Sequence, residues 1–440
     1  MPTPHLPTAP RLFDVSPPDL TLEAGARVMP HLVRGWWWGP EDDLPWLHSR
    51  ARVLSEDEAR ASALRVVRRT RAEQHAAAAE ARRRGPARAP AAVPTVLLVH
   101  ALTGDMRAGG QGGWWEPLIG PRRVLDPSRM RLLCFNNLGS CYGTTGPADE
   151  GFPLRVDDAR FGPPPPVAKG DLRQDEHRLP ATLTPWDQAR SILLALDALG
   201  LDEVELVTGG SLGGMVVLCL AALAPERFSR MAPMATTEAT TAWVVGLNHV
   251  ARQALLMDPG FPESPRRGLE LARQLAMLTY RAEPGLEALQ GRPPEWSSRA
   301  LHPMHSYLEY QGQKLEARFD ARAYLAQLGA MDHHDVSRYP GGGGLARIRA
   351  SALCVGIDTD QLFFPSHMAA LARRLRERGV HAEHATLSSL HGHDGFLLEW
   401  DAMAPLLSRA LALPAARTPE RWTEAPAPPP ALSRPSASKA

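Results

Sequence analysis

The sequence predicts an α/β protein with the α/β-hydrolase fold: a mostly parallel sheet with helices on both faces and an inserted helical lid. Three observations carry this expectation. Val96-Leu97-Leu98-Val99, Leu132-Leu133-Cys134-Phe135 and Ala352-Leu353-Cys354-Val355 are short apolar runs, typical of strands buried on both faces. They alternate with helical patterns, as expected of a parallel sheet covered on both sides. Between Val204-Glu205-Leu206-Val207 and the apolar stretch Met215–Leu220 lies Gly209-Gly210-Ser211-Leu212-Gly213. A G-x-S-x-G turn between strand and helix forces its serine into a strained backbone position, with the hydroxyl above the sheet. The flanking glycines avoid a Cβ that would strike the neighbouring strand and helix.

In chain order, residues 1–20 are Pro-rich and read as loose, and the region 20–50, with Gly35-Trp36-Trp37-Trp38, reads as edge strands. Residues 55–92 are rich in Ala, Arg and Glu and predict an exposed helix ending at Gly85-Pro86. The runs at 96–99 and 132–135 open the parallel sheet. Residues 147–180 read as a surface loop, Gln188–Leu199 as a helix closed by Gly200, and the Ser211 unit follows. The block 236–330 shows no buried strand and reads as the lid. Ala352–Gly356 and Ala385–Leu387 are the last strands, with helices over Pro365–Arg378 and Phe396–Leu411. The expected division is an N-terminal extension with an Ala/Arg-rich helical insertion (1–93), a first core part (94–235), the lid (236–330), a second core part (331–413) and a disordered tail (414–440).

The chain has 440 residues, and its 49 basic and 48 acidic residues leave a net charge of +1, which argues against nucleic acid or an acidic surface as partner. Cys134, Cys141, Cys219 and Cys354 are widely spaced and form no C-x-x-C pair, so they read as buried free thiols in a reducing compartment, not as a metal site. No signal-peptide pattern and no bilayer-length apolar stretch is visible, so a cytoplasmic protein without membrane contact is expected.

A nucleophilic serine needs a base to take its proton and a carboxylate to orient that base. In this fold the order is Ser, acid, His, each on a loop after a strand. Two acids follow the strand at 352–356, Asp358 and Asp360, and the periodicity does not choose between them. After the last strand come His391 and His393; His393 is preferred because Gly392 leaves it room and Phe396-Leu397-Leu398 anchors the helix behind it. The oxyanion hole needs two backbone N–H groups, which are assigned to Leu212, next to the nucleophile, and to Leu102 in the loop after His100.

Several separate segments resemble homoserine O-acetyltransferases. They are His100–Asp105, Gly113-Trp114-Trp115 through Pro121, Asn137–Pro147, Gly209–Met215, Asn248 through Ala254 to Asp258-Pro259, Arg318-Phe319-Asp320, Asp360 with Leu362-Phe363, and Gly392-His393-Asp394. The resemblance spans residues 95–410. It implies Asp360 as the acid and His393 as the base, Arg252 as the residue holding the homoserine carboxylate, and Asp394 near the substrate amino group. It further implies ping-pong transfer of acetyl from acetyl-CoA to homoserine in methionine biosynthesis, with acetyl-CoA as co-substrate, no other cofactor, no metal, and a homodimer joined through the lid. The sequence departs from the family at Met106-Arg107, where a Ser-His pair is usual, and at Trp186, where an Arg is usual.

Overall fold

The computed structural model describes residues 8–62, 65–82, 93–153, 183–292, 301–338 and 343–416. Most of the expected 147–180 loop, the expected helix stop at Gly85-Pro86 and nearly all of the expected tail lie outside these residues.

Eleven strands are present among them: β1 (Arg11–Val15), β2 (Leu20–Thr21), β3 (Arg27–Val28), β4 (Val33–Trp38), β5 (Arg52–Val53), β6 (Thr95–Val99), β7 (Arg131–Phe135), β8 (Val204–Gly210), β9 (Phe228–Met234), β10 (Ser351–Ile357) and β11 (Ala382–Leu387). Nine form one sheet in the order β11-β10-β9-β8-β6-β7-β4-β1-β5, and β2 and β3 form a separate hairpin. From β11 to β7 every neighbouring pair is parallel. From β7 to β5 every pair is antiparallel.

The helices α1 (Leu44–Arg50), α2 (Glu56–Ala61) and α3 (Arg71–Arg82) precede β6, and α4 (Pro185–Leu199) and α5 (Leu212–Leu223) flank β8. Between β9 and β10 lie α6 (Ala242–Leu256), α7 (Arg266–Tyr280), α8 (Glu283–Gln290), α9 (Pro303–Glu316), α10 (Ala321–Asp332) and α11 (Gly344–Arg347). The remainder are α12 (Pro365–Arg376), α13 (Gly395–Leu398) and α14 (Trp400–Ala412). Thr184 caps α4 reciprocally with Asp187, and Gly200 stops it in the left-handed conformation at φ 68°.

Strand alternation divides the core in two. Val96 and Leu98 of β6 share one buried cluster with Met403 and Leu407 of α14 and with Leu255, Leu269 and Tyr324 of the helices between β9 and β10. Leu97 and Val99 face Leu196 of α4, Val217 of α5 and Leu371 of α12. All five residues of β6 are buried, as a strand covered on both faces requires.

The N-terminal third differs most from expectation. Residues 1–20 contain β1, and β4 is an interior strand between β7 and β1, not an edge. Both strands carry charges that interrupt the apolar pattern. Asp14 and Arg34 stand opposite each other in the register and form a bidentate pair, with Arg34 Nε and Nη2 donating to the carboxylate at 2.7 and 2.8 Å. Buried charge is tolerated here because it is paired and hydrogen-bonded. Among the described residues the Ala/Arg-rich stretch holds two helices, and α3 buries Gln74, Ala78 and Ala81. The four cysteines are buried and free; burial raises the thiols, Cys141 and Cys354 to about 12, so they are unreactive. No helix among the described residues is long and apolar enough to cross a membrane.

Candidate active site

Strand β8 ends and α5 begins at Ser211, whose backbone sits at φ 58° and ψ −126°. A non-glycine residue there is strained by about 1–3 kcal/mol, and the surroundings hold it. The Ser211 N–H donates to the Met234 carbonyl at the end of β9 at 3.0 Å. A Cβ on Gly209 would lie 2.5 Å from the Val99 carbonyl oxygen, and one on Gly213 only 2.3 Å from it. Those two glycines let the elbow press against the end of β6, which brings the loop after β6 beside the serine.

His393 and Asp360 arrive on the loops after β11 and β10. His393 Nδ1 hydrogen-bonds Asp360 Oδ2 at 2.7 Å, and both side chains are almost fully buried. The other carboxylate oxygen, Oδ1, accepts from the backbone N–H groups of Leu362 (2.8 Å) and Phe363 (3.0 Å), which fixes its orientation. The imidazole is packed among the rings of Tyr280, Phe363 and Phe396, with centroids 5.5, 5.5 and 5.7 Å away. Burial alone would lower its pKa. The Asp360 charge, the Asp360 hydrogen bond and the Asp394 charge outweigh burial and raise it above the ordinary 6.5. Asp358 plays a different part. It accepts from Ser388 Oγ (2.7 Å) and from the Ser389 N–H (3.0 Å), tying the acid loop to the histidine loop. His391 lies beside Arg281, 3.3 Å from its Nη1, away from the Asp360 pair.

One cavity of about 240 Å³ collects Ser211, His393, Leu102 and Asp394. Leu212, also buried, opens α5 directly behind the serine. The first N–H groups of a helix have no partner within it, so Leu212 offers a donor beside the nucleophile. Leu102 lies in a tight turn closed by the Gly104 N–H on the Ala101 carbonyl at 3.0 Å. His100 anchors that turn, with Nδ1 on the Ala101 carbonyl (2.8 Å) and Nε2 accepting from the Asn137 N–H (3.0 Å).

Arg252 is not brought to this cavity. It projects from α6 toward α10 and pairs with Asp332, whose other oxygen takes Asn248 Nδ2 at 2.8 Å. In this structure the charge of Arg252 is therefore matched by Asp332. Asp394 is at the cavity and forms an ion pair with Arg281 Nε at 3.1 Å, although that N–H is not aimed at it as a hydrogen bond. The cavity wall instead carries Arg273 and Tyr280 of α7 and Arg318, none of which received a role from the sequence. Arg273 and Tyr280 are seven residues apart, two helical turns, so they share one face of α7. Trp186 is buried and its indole N–H donates to the Asp335 carbonyl at 3.1 Å, so it serves packing at the base of α4.

The model of a family described as "alpha/beta hydrolase fold" matches residues 94–391. A homoserine O-acetyltransferase of Moorella thermoacetica is 36% identical over 339 residues, covering 71% of this chain and 84% of its own length. A homoserine O-succinyltransferase of Nitrosospira multiformis is 35% identical over 328 residues, covering 69% and 82%. Among solved structures, a homoserine O-acetyltransferase from Bacillus anthracis is similar with a TM-score of 0.69 at 17% identity, over 93% of this chain and 100% of that one. That last likeness concerns the fold alone.

Proposed function

Because the chain belongs to the homoserine O-acetyltransferase family of α/β-hydrolase-fold acyltransferases, we propose that it moves an acetyl group from acetyl-CoA to the hydroxyl of L-homoserine, a step of methionine biosynthesis. The observation that carries this reading is Ser211 at a strained strand-to-helix elbow, lining one cavity with a histidine that is bonded to a buried carboxylate. A binding module has no use for that set.

Ser211 Oγ attacks the thioester carbonyl carbon while His393 Nε2 takes its proton. Asp360 holds the imidazole with Nδ1 protonated and stabilises the imidazolium that forms. The oxyanion rests on the N–H groups of Leu212 and Leu102. The C–S bond breaks, the departing thiolate takes the proton from His393, and an acetyl ester remains on Ser211. The homoserine hydroxyl then attacks that ester with His393 again as base, and Ser211 regains its proton as O-acetylhomoserine leaves. No cofactor beyond the thioester enters this scheme, and the reaction belongs in the cytoplasm.

The succinyl donor is a second reading, favoured by the relative named homoserine O-succinyltransferase. Free-thiol release from acetyl-CoA or succinyl-CoA, with and without L-homoserine, tests both. Homoserine-dependent release with acetyl-CoA supports the first; release that needs succinyl-CoA supports the second; release independent of homoserine makes the protein a hydrolase.

A homodimer joined through the lid is part of the same proposal. Trp243, Val250 and Met257 are 52%, 54% and 78% exposed and recur every seven residues along α6 and its cap. Leu271 and Leu278 of α7 are exposed at the same interval. Such apolar stripes on helices are the usual faces of association.

A further inference from the structure

We propose that Arg318 is a positioning residue that orients and polarises the Leu102 N–H of the oxyanion hole through a chain of hydrogen bonds; the proposal rests on the roles given to Ser211 and Leu102 in the reading above. The chain starts at the guanidinium, whose Nη1 donates to the Thr103 carbonyl at 2.9 Å. The other end of that peptide unit, the Gly104 N–H, donates to the Ala101 carbonyl at 3.0 Å. The Ala101 carbonyl shares its own peptide unit with the Leu102 N–H. Leu102 is buried, and its N–H has no acceptor among the described residues. Buried backbone donors are rarely left so, which marks this one as kept for a ligand.

A donor on a peptide carbonyl draws charge from the N–H of the same unit, and hydrogen bonds in series strengthen one another. A cation at the head of the series makes the first bond a strong one. His100 adds to it: its Nε2 accepts from the Asn137 N–H, so Nδ1 carries the proton and donates to the Ala101 carbonyl at 2.8 Å. The charge of Arg318 is not spent elsewhere. Among the described residues it meets no carboxylate, and its second acceptor is the Tyr142 hydroxyl at 2.6 Å, which donates back to the Arg318 carbonyl at 3.0 Å. Burial raises the Tyr142 hydroxyl well above its ordinary range, so it stays neutral.

The anchor is firm. The Arg318 N–H bonds the Leu315 carbonyl at the end of α9 at 3.0 Å, and Asp320 caps α10 through the N–H groups of Arg322 and Ala323. The N-terminal extension clamps both neighbours: Arg68 reaches Asp320 at 2.8 Å, and the Val67 N–H donates to the Cys141 carbonyl at 2.8 Å. Arg318 thus ties the helices between β9 and β10 to the turn after β6.

The test follows acylation of the full chain by 4-nitrophenyl acetate, a neutral donor with no carboxylate or phosphate, in wild type, Arg318→Met and Arg318→Lys. Arg318→Met should slow acylation at saturating ester about 10- to 30-fold, less than the 10²- to 10³-fold of losing an oxyanion donor outright, with ester affinity within about two-fold. Arg318→Lys should recover part of the loss. The acidic limb of the pH profile should stay in place, because the His393–Asp360 pair is untouched. The infrared carbonyl band of carbon-13-labelled acetyl-Ser211 should move to higher wavenumber in Arg318→Met, as a weaker donor polarises the ester less. If Arg318→Met does not fold, Arg318→Gln, a neutral donor, takes its place with the same expected direction. An unchanged rate and band, a loss confined to affinity, a shifted limb, or a loss seen with acetyl-CoA and not with the neutral ester overturns the proposal. Wild type that is acylated by the ester but shows no homoserine-dependent thiol release refutes the transfer reading alone, and the variants still decide the role of Arg318. No acylation of wild-type Ser211 by either donor overturns both.

Discussion

The floor and the roof of the catalytic cavity are built differently. The floor comes from the ends of β6, β8, β10 and β11, and each of its groups is locked by short-range backbone geometry. Ser211 is held by glycines that admit no Cβ, and Asp360 by two N–H groups of its own loop. The roof comes from α7 and the segment after α9, whose side chains reach the cavity only through the way helices pack. Floor chemistry is therefore written locally in the sequence, whereas roof recognition depends on tertiary placement. Arg252 and Arg273 make the point: both are arginines on helices inserted between β9 and β10, yet one is paired with Asp332 and the other lines the cavity that holds Ser211.

The largest effect is expected on the floor. Asp360→Asn should lower kcat about 10³- to 10⁴-fold with little change in KM, read by thiol release, because the imidazole loses its orienting acceptor. The same variant shifts the pH profile. His393 acts while neutral, so activity falls as pH drops through its pKa. With Asp360 uncharged, burial dominates and that pKa falls, so the acidic limb of kcat/KM should move to lower pH. An unmoved limb would show that another group titrates.

Gly213→Ala comes next. Its Cβ would meet the Val99 carbonyl oxygen at 2.3 Å and the His100 carbonyl oxygen at 3.0 Å, so β6 and α5 must part. A loss of about 3 kcal/mol in denaturant unfolding is expected, together with reduced activity. Wild-type stability would mean that the elbow is less constrained than its contacts imply.

On the roof, Arg252→Ala should cost about 2 kcal/mol by exposing the Asp332 charge to a site with no cation, and Asp332→Asn in the same chain should recover much of it. Unchanged stability in Arg252→Ala would show that the pair with Asp332 contributes nothing. The smallest effect on chemistry is expected from Val250→Asp, outside the cavity: it should weaken self-association by sedimentation while leaving monomer stability within about 0.5 kcal/mol.

The parallel half of the fold was legible because β6, β7 and β10 are unbroken apolar runs. The antiparallel half was not, since Asp14 and Arg34 sit mid-strand and read as polar until the register pairs them. Strand β9, Phe-Ser-Arg-Met-Ala-Pro-Met, escaped for a similar reason: Ser229, Arg230 and Pro233 break its pattern, and its place between β8 and β10 is a tertiary fact. At the site, the candidates that structure brings together are those on loops directly after predicted strands. Arg273 and Tyr280 share a helix face, but nothing local says which face looks at Ser211.

The most direct measurement is the mass of the Ser211-containing peptide after incubation with acetyl-CoA and no acceptor. An acetyl group on Ser211 that L-homoserine discharges as O-acetylhomoserine is the expected result. An unmodified serine, or acetyl transfer to homoserine that persists in Ser211→Ala, would contradict the account.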